Sequence, residues 1–204
     1  MTLFFLPIAI LDTSNQFSQL SSLFATLLQS FPSLKDPSLQ QKFLACYCNT
    51  VLQSNEQQLN TYKQLNTQYS FVSLLSKLLY QNKSDLQYQE NCLVLFYFLV
   101  DQDEDMITLI QNHVLYSILM TLNEQSSFSL QYIQNSITVL QRLSYYDEFI
   151  SYIKKHSKLL TILFALSEKY SSQLNSTHSY ENYFTILSNI IADSILFLSL
   201  FIPS

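Results

Sequence analysis

Leu86-Gln87-Tyr88-Gln89-Glu90-Asn91 returns as Leu130-Gln131-Tyr132-Ile133-Gln134-Asn135, an offset of 44 residues with four of the six positions identical. The echo continues downstream. Ile110 to His113 aligns with Ile153 to His156 at an offset of 43, and Ile118-Leu119-Met120-Thr121-Leu122 aligns with Ile162-Leu163-Phe164-Ala165-Leu166 at 44. Weaker copies flank the pair. Leu39, Gln40 and Leu52 stand 47 residues before Leu86, Gln87 and Leu99, while Asn182, Ile186, Leu187 and Ile190 stand 47 after Asn135, Val139, Leu140 and Leu143. A period of this length marks one supersecondary unit that cannot bury its apolar face alone, so stacked neighbours supply the core.

Within the period the signals are helical. Phe17, Leu20, Leu23, Phe24, Leu27 and Leu28 follow the three-four-seven spacing after Ser14 and stop at Pro32. Asp36 followed by Pro37 predicts a capped helix entry, with the helix running to about Gln53. Further starts are expected near Ser70, Ser84, Ser129 and Ser179. In the second unit a long helix over 85–100 is followed by a short one from Asp105 to Asn112 and another from His113 to about Asn123.

The composition narrows function as well as fold. Among 204 residues there is no glycine, where ordinary usage near 7% predicts about 14. Phosphate cradles, dinucleotide turns and nucleophile elbows written with required glycines therefore have no place to form. Tight hairpin turns lean on the same residue, so an all-α chain is favoured. A net charge of −5 with 12% charged residues argues against nucleic acid as a partner. Solubility rests instead on 29 Ser, 13 Asn and 20 Gln. Three cysteines, Cys46, Cys48 and Cys92, form no disulfide framework and point to a cytoplasmic or nuclear chain. The apolar runs Leu3 to Leu11 and Ile186 to Ile202 are broken by Pro7 and by Asn189 and Asp193, so no membrane span is expected.

Gln89-Glu90-Asn91-Cys92-Leu93 is similar to the Gln-Glu-Asn-Ala-Leu run of the armadillo family's third helix, and the order of long, short and second helices resembles that family over about 38 to 192. The resemblance implies a right-handed α-α superhelix of stacked armadillo-like repeats forming one domain over 1–204. Residues 1–36 would be an N-terminal cap, followed by repeats over about 37–83, 84–128, 129–175 and an incomplete 176–204. Where the family turns through Gly between its short helices, this chain has His113 and His156, which tolerate left-handed backbone.

In armadillo proteins the stacked third helices line a groove for extended peptides, and nuclear import adaptors carry Trp and Asn there. On this sequence the Trp positions fall on Tyr47, Val94, Thr138 and Thr185, and the Asn positions on Val51, Phe98, Arg142 and Asn189. Asn189 is the one match. The candidate partner-binding face is therefore Asn91, Val94, Tyr97, Phe98, Asn135, Thr138, Gln141, Arg142, Thr185 and Asn189, with Arg142 and the aromatic residues as expected hot spots for an apolar or acidic segment.

Elsewhere the plain structural reading prevails. Asp101, Asp103, Glu104 and Asp105 read as carboxylates at a helix start, without the glycine turn of a calcium loop. Cys46 and Cys48 project about 200° apart on a helix and cannot readily share an ion. The histidines His113, His156 and His178 have no ligand spacing, so no metal or cofactor is expected. Lys154, Lys155 and Lys158 read as a solvated helix end, and Tyr145-Tyr146 as packing between repeats. The apolar C-terminal residues Ile195, Phe197, Leu198 and Phe201 suggest self-association or a partner subunit. Together these features predict a non-enzymatic scaffold that binds other proteins or peptide segments. A transport-type peptide adaptor and a fixed subunit of a large assembly are the alternatives.

Overall fold

The computed structural model describes residues 13–82, 85–124, 129–170 and 179–199, and every regular element among them is helical. In chain order they are α1 (Thr13–Ser30), a 3₁₀ turn (Phe31–Ser33), α2 (Pro37–Leu52), α3 (Glu56–Gln68), α4 (Phe71–Gln81), α5 (Leu86–Leu99), α6 (Asp103–Gln111), α7 (Val114–Glu124), α8 (Leu130–Leu143), α9 (Asp147–Lys155), α10 (Ser157–Lys169) and α11 (Ser179–Ser199). Of the C-terminal apolar residues, Phe201 lies outside the described residues, as do the side chains of Ile195, Phe197 and Leu198.

The helix entries are written locally. Asp36 accepts from the Ser38 N–H with Pro37 behind it, and Asn55 and Gln58 cap each other's backbone amides. The repeated strings open alike: Asp85 accepts from the Tyr88 N–H at 3.0 Å and Ser129 from the Tyr132 N–H at 3.0 Å. The cap of α5 thus falls on Asp85, one residue beyond Ser84, because a carboxylate at that position reaches the third amide of the helix.

Packing follows the same translation. The long helices form a column in which α5 lies on α2, α8 on α5 and α11 on α8, while α7 lies on α4 and α10 on α7, and α9 lies on α6. One continuous core runs through these columns, from Phe24 and Phe43 through Leu93, Leu119 and Leu140 to Ile186. The apolar stripe of α1 is narrower than its spacing suggests. Phe24 and Leu28 are buried, but Leu23 and Leu27 are exposed; among the described elements α1 packs chiefly against α3 and the 3₁₀ turn.

A chain without glycine must still finish its helices, whose last four carbonyls have no partner inside the helix. Two helices end in the left-handed turn that glycine ordinarily fills. Ser70 after α3 has φ 50° and His113 after α6 has φ 62°, each at a cost of about 1–2 kcal/mol. His156 does not follow its counterpart; its φ is −122°. Three other helices are finished by side chains from the next unit. Arg142 donates to the Tyr97 and Val100 carbonyls at the end of α5. Lys169 donates to those of Leu122 and Asn123 at the end of α7, joined by the Tyr170 hydroxyl on Leu122. Asn189 donates to the Ser144 carbonyl that follows α8. A cation at a helix C-terminus also meets a favourable dipole.

Candidate functional site

The face proposed by the sequence lies along α5, α8 and α11, and the structure divides its residues into three groups. Asn91 and Val94 are buried, at 6% and 9% exposure. The reason is the position of α5, which packs against α2, α3, α4 and α8 at once and is covered nearly all round. Both therefore leave the accessible surface. Phe98 is half-buried against the core.

Arg142 and Asn189 form the second group. They occupy corresponding places on α8 and α11, and both are spent on the preceding helix end described above. Asn189 also donates to the Ser144 hydroxyl at 2.9 Å. The import-type asparagine position is thus a tie within the molecule, and Arg142 has its guanidinium already paired.

The remaining residues do face solvent at least in part. Tyr97 is exposed, and Asn135, Thr138, Gln141 and Thr185 are half-exposed. Gln131 donates to the Asn135 side-chain oxygen at 2.8 Å, Asn182 reaches the Thr138 hydroxyl at 3.5 Å, and Gln141 donates to the Tyr145 hydroxyl at 2.8 Å. Thr185 bonds back to the Glu181 carbonyl of its own helix. The surface that remains is a row of amides and hydroxyls with two phenol rings, Tyr97 and Tyr145, exposed on it.

Tyr145 departs from its expected packing role, being the most exposed large apolar side chain of the described residues at 62%. Its neighbour Tyr146 does bridge units, donating to the Asp103 carboxylate at 2.8 Å. Lys154, read as solvated, pairs with Asp193 on α11. Spacing gave no warning of these bonds, nor of Lys169 or of the buried Tyr132 hydroxyl on Gln89 at 2.7 Å.

A concavity of about 1110 Å³ opens between α3 and the start of α6. Asn60, Gln64 and Gln68 form one wall, and Asp101, Asp103, Glu104 and Asp105 the other. Lys63 reaches across it to Asp101 at 2.7 Å. Partial burial works upward on the Asp101 carboxyl, but the Lys63 and Gln102 hydrogen bonds and the Lys63 charge bring it below the ordinary range. Asp105 moves the other way, raised by burial and by Asp101 and Glu104 beside it. Its neighbours Asp103 and Glu104 share the first turn of α6, but the N-cap itself is Gln102, whose side chain makes no capping bond.

Cys46 is exposed and Cys48 buried, on opposite sides of α2. Burial pushes the Cys48 thiol up to about 11, with a smaller contribution from Glu90, and pushes Cys92 up as well. Thiols so placed are protonated at neutral pH and behave as core residues. His113 joins Tyr152 through Nδ1 and the phenol oxygen at 2.8 Å. Among the described residues no three or more His, Cys, Asp or Glu side chains gather as ligands for a metal, and no helix is long and apolar enough to cross a membrane. No family model matches the chain, and neither does any curated protein or solved structure.

Proposed function

We propose that the chain is a non-enzymatic scaffold, an armadillo-like right-handed superhelix whose row of long helices holds an extended segment of another protein. The observation that carries this reading is a set of five cross-unit bonds of nearly equal span, within a wider set that spans 38 to 48 residues. Tyr132 to Gln89, Tyr146 to Asp103, Arg142 to Tyr97, Asn182 to Thr138 and Asn189 to Ser144 join residues 43 to 45 apart. Such a translation generates a side-by-side array, and an array presents one helix face many times over.

What that face offers is suited to a peptide backbone. The half-exposed Gln141 amide can pair with main-chain groups, whereas Asn135 has its side-chain nitrogen buried and its oxygen bonded to Gln131, and Tyr97 and Tyr145 supply rigid contact area with a polar tip. The anchors shift accordingly from Arg142 to the two tyrosines. Peptides selected from a displayed random library against the purified chain, then measured by fluorescence anisotropy, test this. Tyr97→Ala and Tyr145→Ala are expected to weaken the selected peptides about tenfold or more; peptides indifferent to both substitutions would remove the reading.

The acidic cleft favours a second reading, a transport-type adaptor for basic peptides. A Lys/Arg-rich peptide that binds the native chain and is lost on Asp103→Asn with Glu104→Gln would support it. In that case Asn189→Ala would act through stability alone.

A further inference from the structure

The bonds between long helices fix a register that continues past the last of them. Arg142 of α8 reaches the Val100 carbonyl, and Asn189 of α11 reaches that of Ser144, so α8 sits on α5 as α11 sits on α8. In that register Gln89, Leu93 and Phe96 of α5, with Val100 just after it, correspond to Ile133, Ile137 and Leu140 of α8, with Ser144 just after it. All eight are buried. They are the line that meets the following helix, as the Tyr132 hydroxyl on Gln89 and Asn189 on Ser144 show.

On α11 the corresponding line is Tyr180, Phe184, Leu187 and Ile191. Here the burial fails. Tyr180 is 41% exposed, Phe184 45% and Ile191 48%, with Leu187 half-buried. The spacing of four, three and four keeps them on one side of the helix, and the Tyr180 and Phe184 rings already meet edge to face at 4.5 Å. Large apolar side chains thus stand uncovered at the positions that both earlier long helices bury against a neighbour.

We infer that this line is the seat of an amphipathic α-helix of a partner protein, laid along α11 as α11 is laid along α8. Continuity with the α5, α8 and α11 column argues for a helix as the occupant. Area argues against a second copy. Side chains of this size, half exposed, offer on the order of 300 Å², whereas a stable dimer needs about 800 Å² from each partner. One helix with apolar residues at the same spacing covers such a line. The surface is separate from the Tyr97 and Tyr145 face, so either can fail alone.

The probe is a fluorescein-labelled peptide of residues 129–144, the stretch that forms α8 on α5, stapled on its solvent side to hold it helical. With the full chain we expect saturable binding in the micromolar range. Phe184→Glu should weaken it at least tenfold, and Leu52→Glu, at an exposed site far along the stack, should leave it unchanged. Circular dichroism of the Phe184→Glu chain separates a lost surface from a lost fold, and Ile191→Glu repeats the test at the other end of the line. Absence of saturable binding, equal binding to the Phe184→Glu chain, or equal binding by a peptide with the same residues scrambled around the helix would overturn the inference. So would a dimer in sedimentation that Phe184→Glu dissociates, since the occupant would then be a second copy.

Discussion

The two ends of the molecule solve the same packing problem with different materials. Around α1 to α4 the core is aromatic: Phe24, Phe43, Tyr47, Tyr62 and Phe71 touch one another with ring centroids 4.7 to 6.2 Å apart. Polar atoms are left over inside it. The Tyr47 hydroxyl and both side-chain polar atoms of Asn66 are buried with no hydrogen-bond partner. From α5 onward the core is largely aliphatic, and although Tyr88, Asn91, Ser117 and Ser136 also keep buried polar atoms without a partner there, Tyr132, Arg142 and Lys169 bond to the unit before them. The contrast teaches that ring-to-ring area can hold a first unit together without polar register, whereas the repeated units are aligned by directional bonds.

The largest expected effect breaks the aromatic end. Phe71 is fully buried and meets Phe31, Phe43 and Tyr47, so Phe71→Ala should cost about 3–5 kcal/mol in urea unfolding. A loss below about 1 kcal/mol would mean the rings are loosely held. At the other end, Arg142→Met keeps the side chain's volume but leaves the Tyr97 and Val100 carbonyls unpaired, and should cost about 1–3 kcal/mol. Hydrogen exchange should quicken first at the end of α5, where the Val100 amide bonds to Phe96.

One substitution made twice sharpens the contrast. Tyr132→Phe removes a hydroxyl bonded to Gln89 and should destabilise by about 1 kcal/mol. Tyr47→Phe removes an unpaired one and should be neutral or stabilising by a similar amount. Equal effects would erase the distinction between the two ends.

The smallest effect is set by pH. Asp101 has a folded pKa below its unfolded value, so its contribution is present above the ordinary carboxylate range, about 3.9, and is lost as pH falls through the folded value. Asp105 is raised and has the opposite sign, its strain easing as acid protonates it. With both Lys63 and Asp101 partly exposed, Lys63→Met should cost about 0.2–1 kcal/mol at pH 7 and almost nothing near pH 2, by urea unfolding at each pH.

The helices were legible because their entries leave marks on neighbouring residues. Pro37 after Asp36 announces an entry, and the shared Leu-Gln-Tyr strings announce the second and third long helices. The candidate face was only partly legible. Spacing places Asn91 and Val94 on one side of α5 but does not say that four helices will surround it. The roles of Arg142, Lys169 and Asn189 were hidden for a different reason: their acceptors are backbone carbonyls, and any residue supplies a carbonyl. The aromatic chemistry of Tyr145 predicts packing, yet it lies two residues past the end of α8 and is exposed.

Helix ends that borrow their donors from one unit further along impose an order on biosynthesis. While the chain leaves the ribosome, the closing carbonyls of α5 stay with water until Arg142 has emerged, and those of α7 until Lys169 has. Each unit is therefore provisional until its successor arrives, and a polypeptide stalled between Val100 and Arg142 would display a frayed turn that the finished protein conceals.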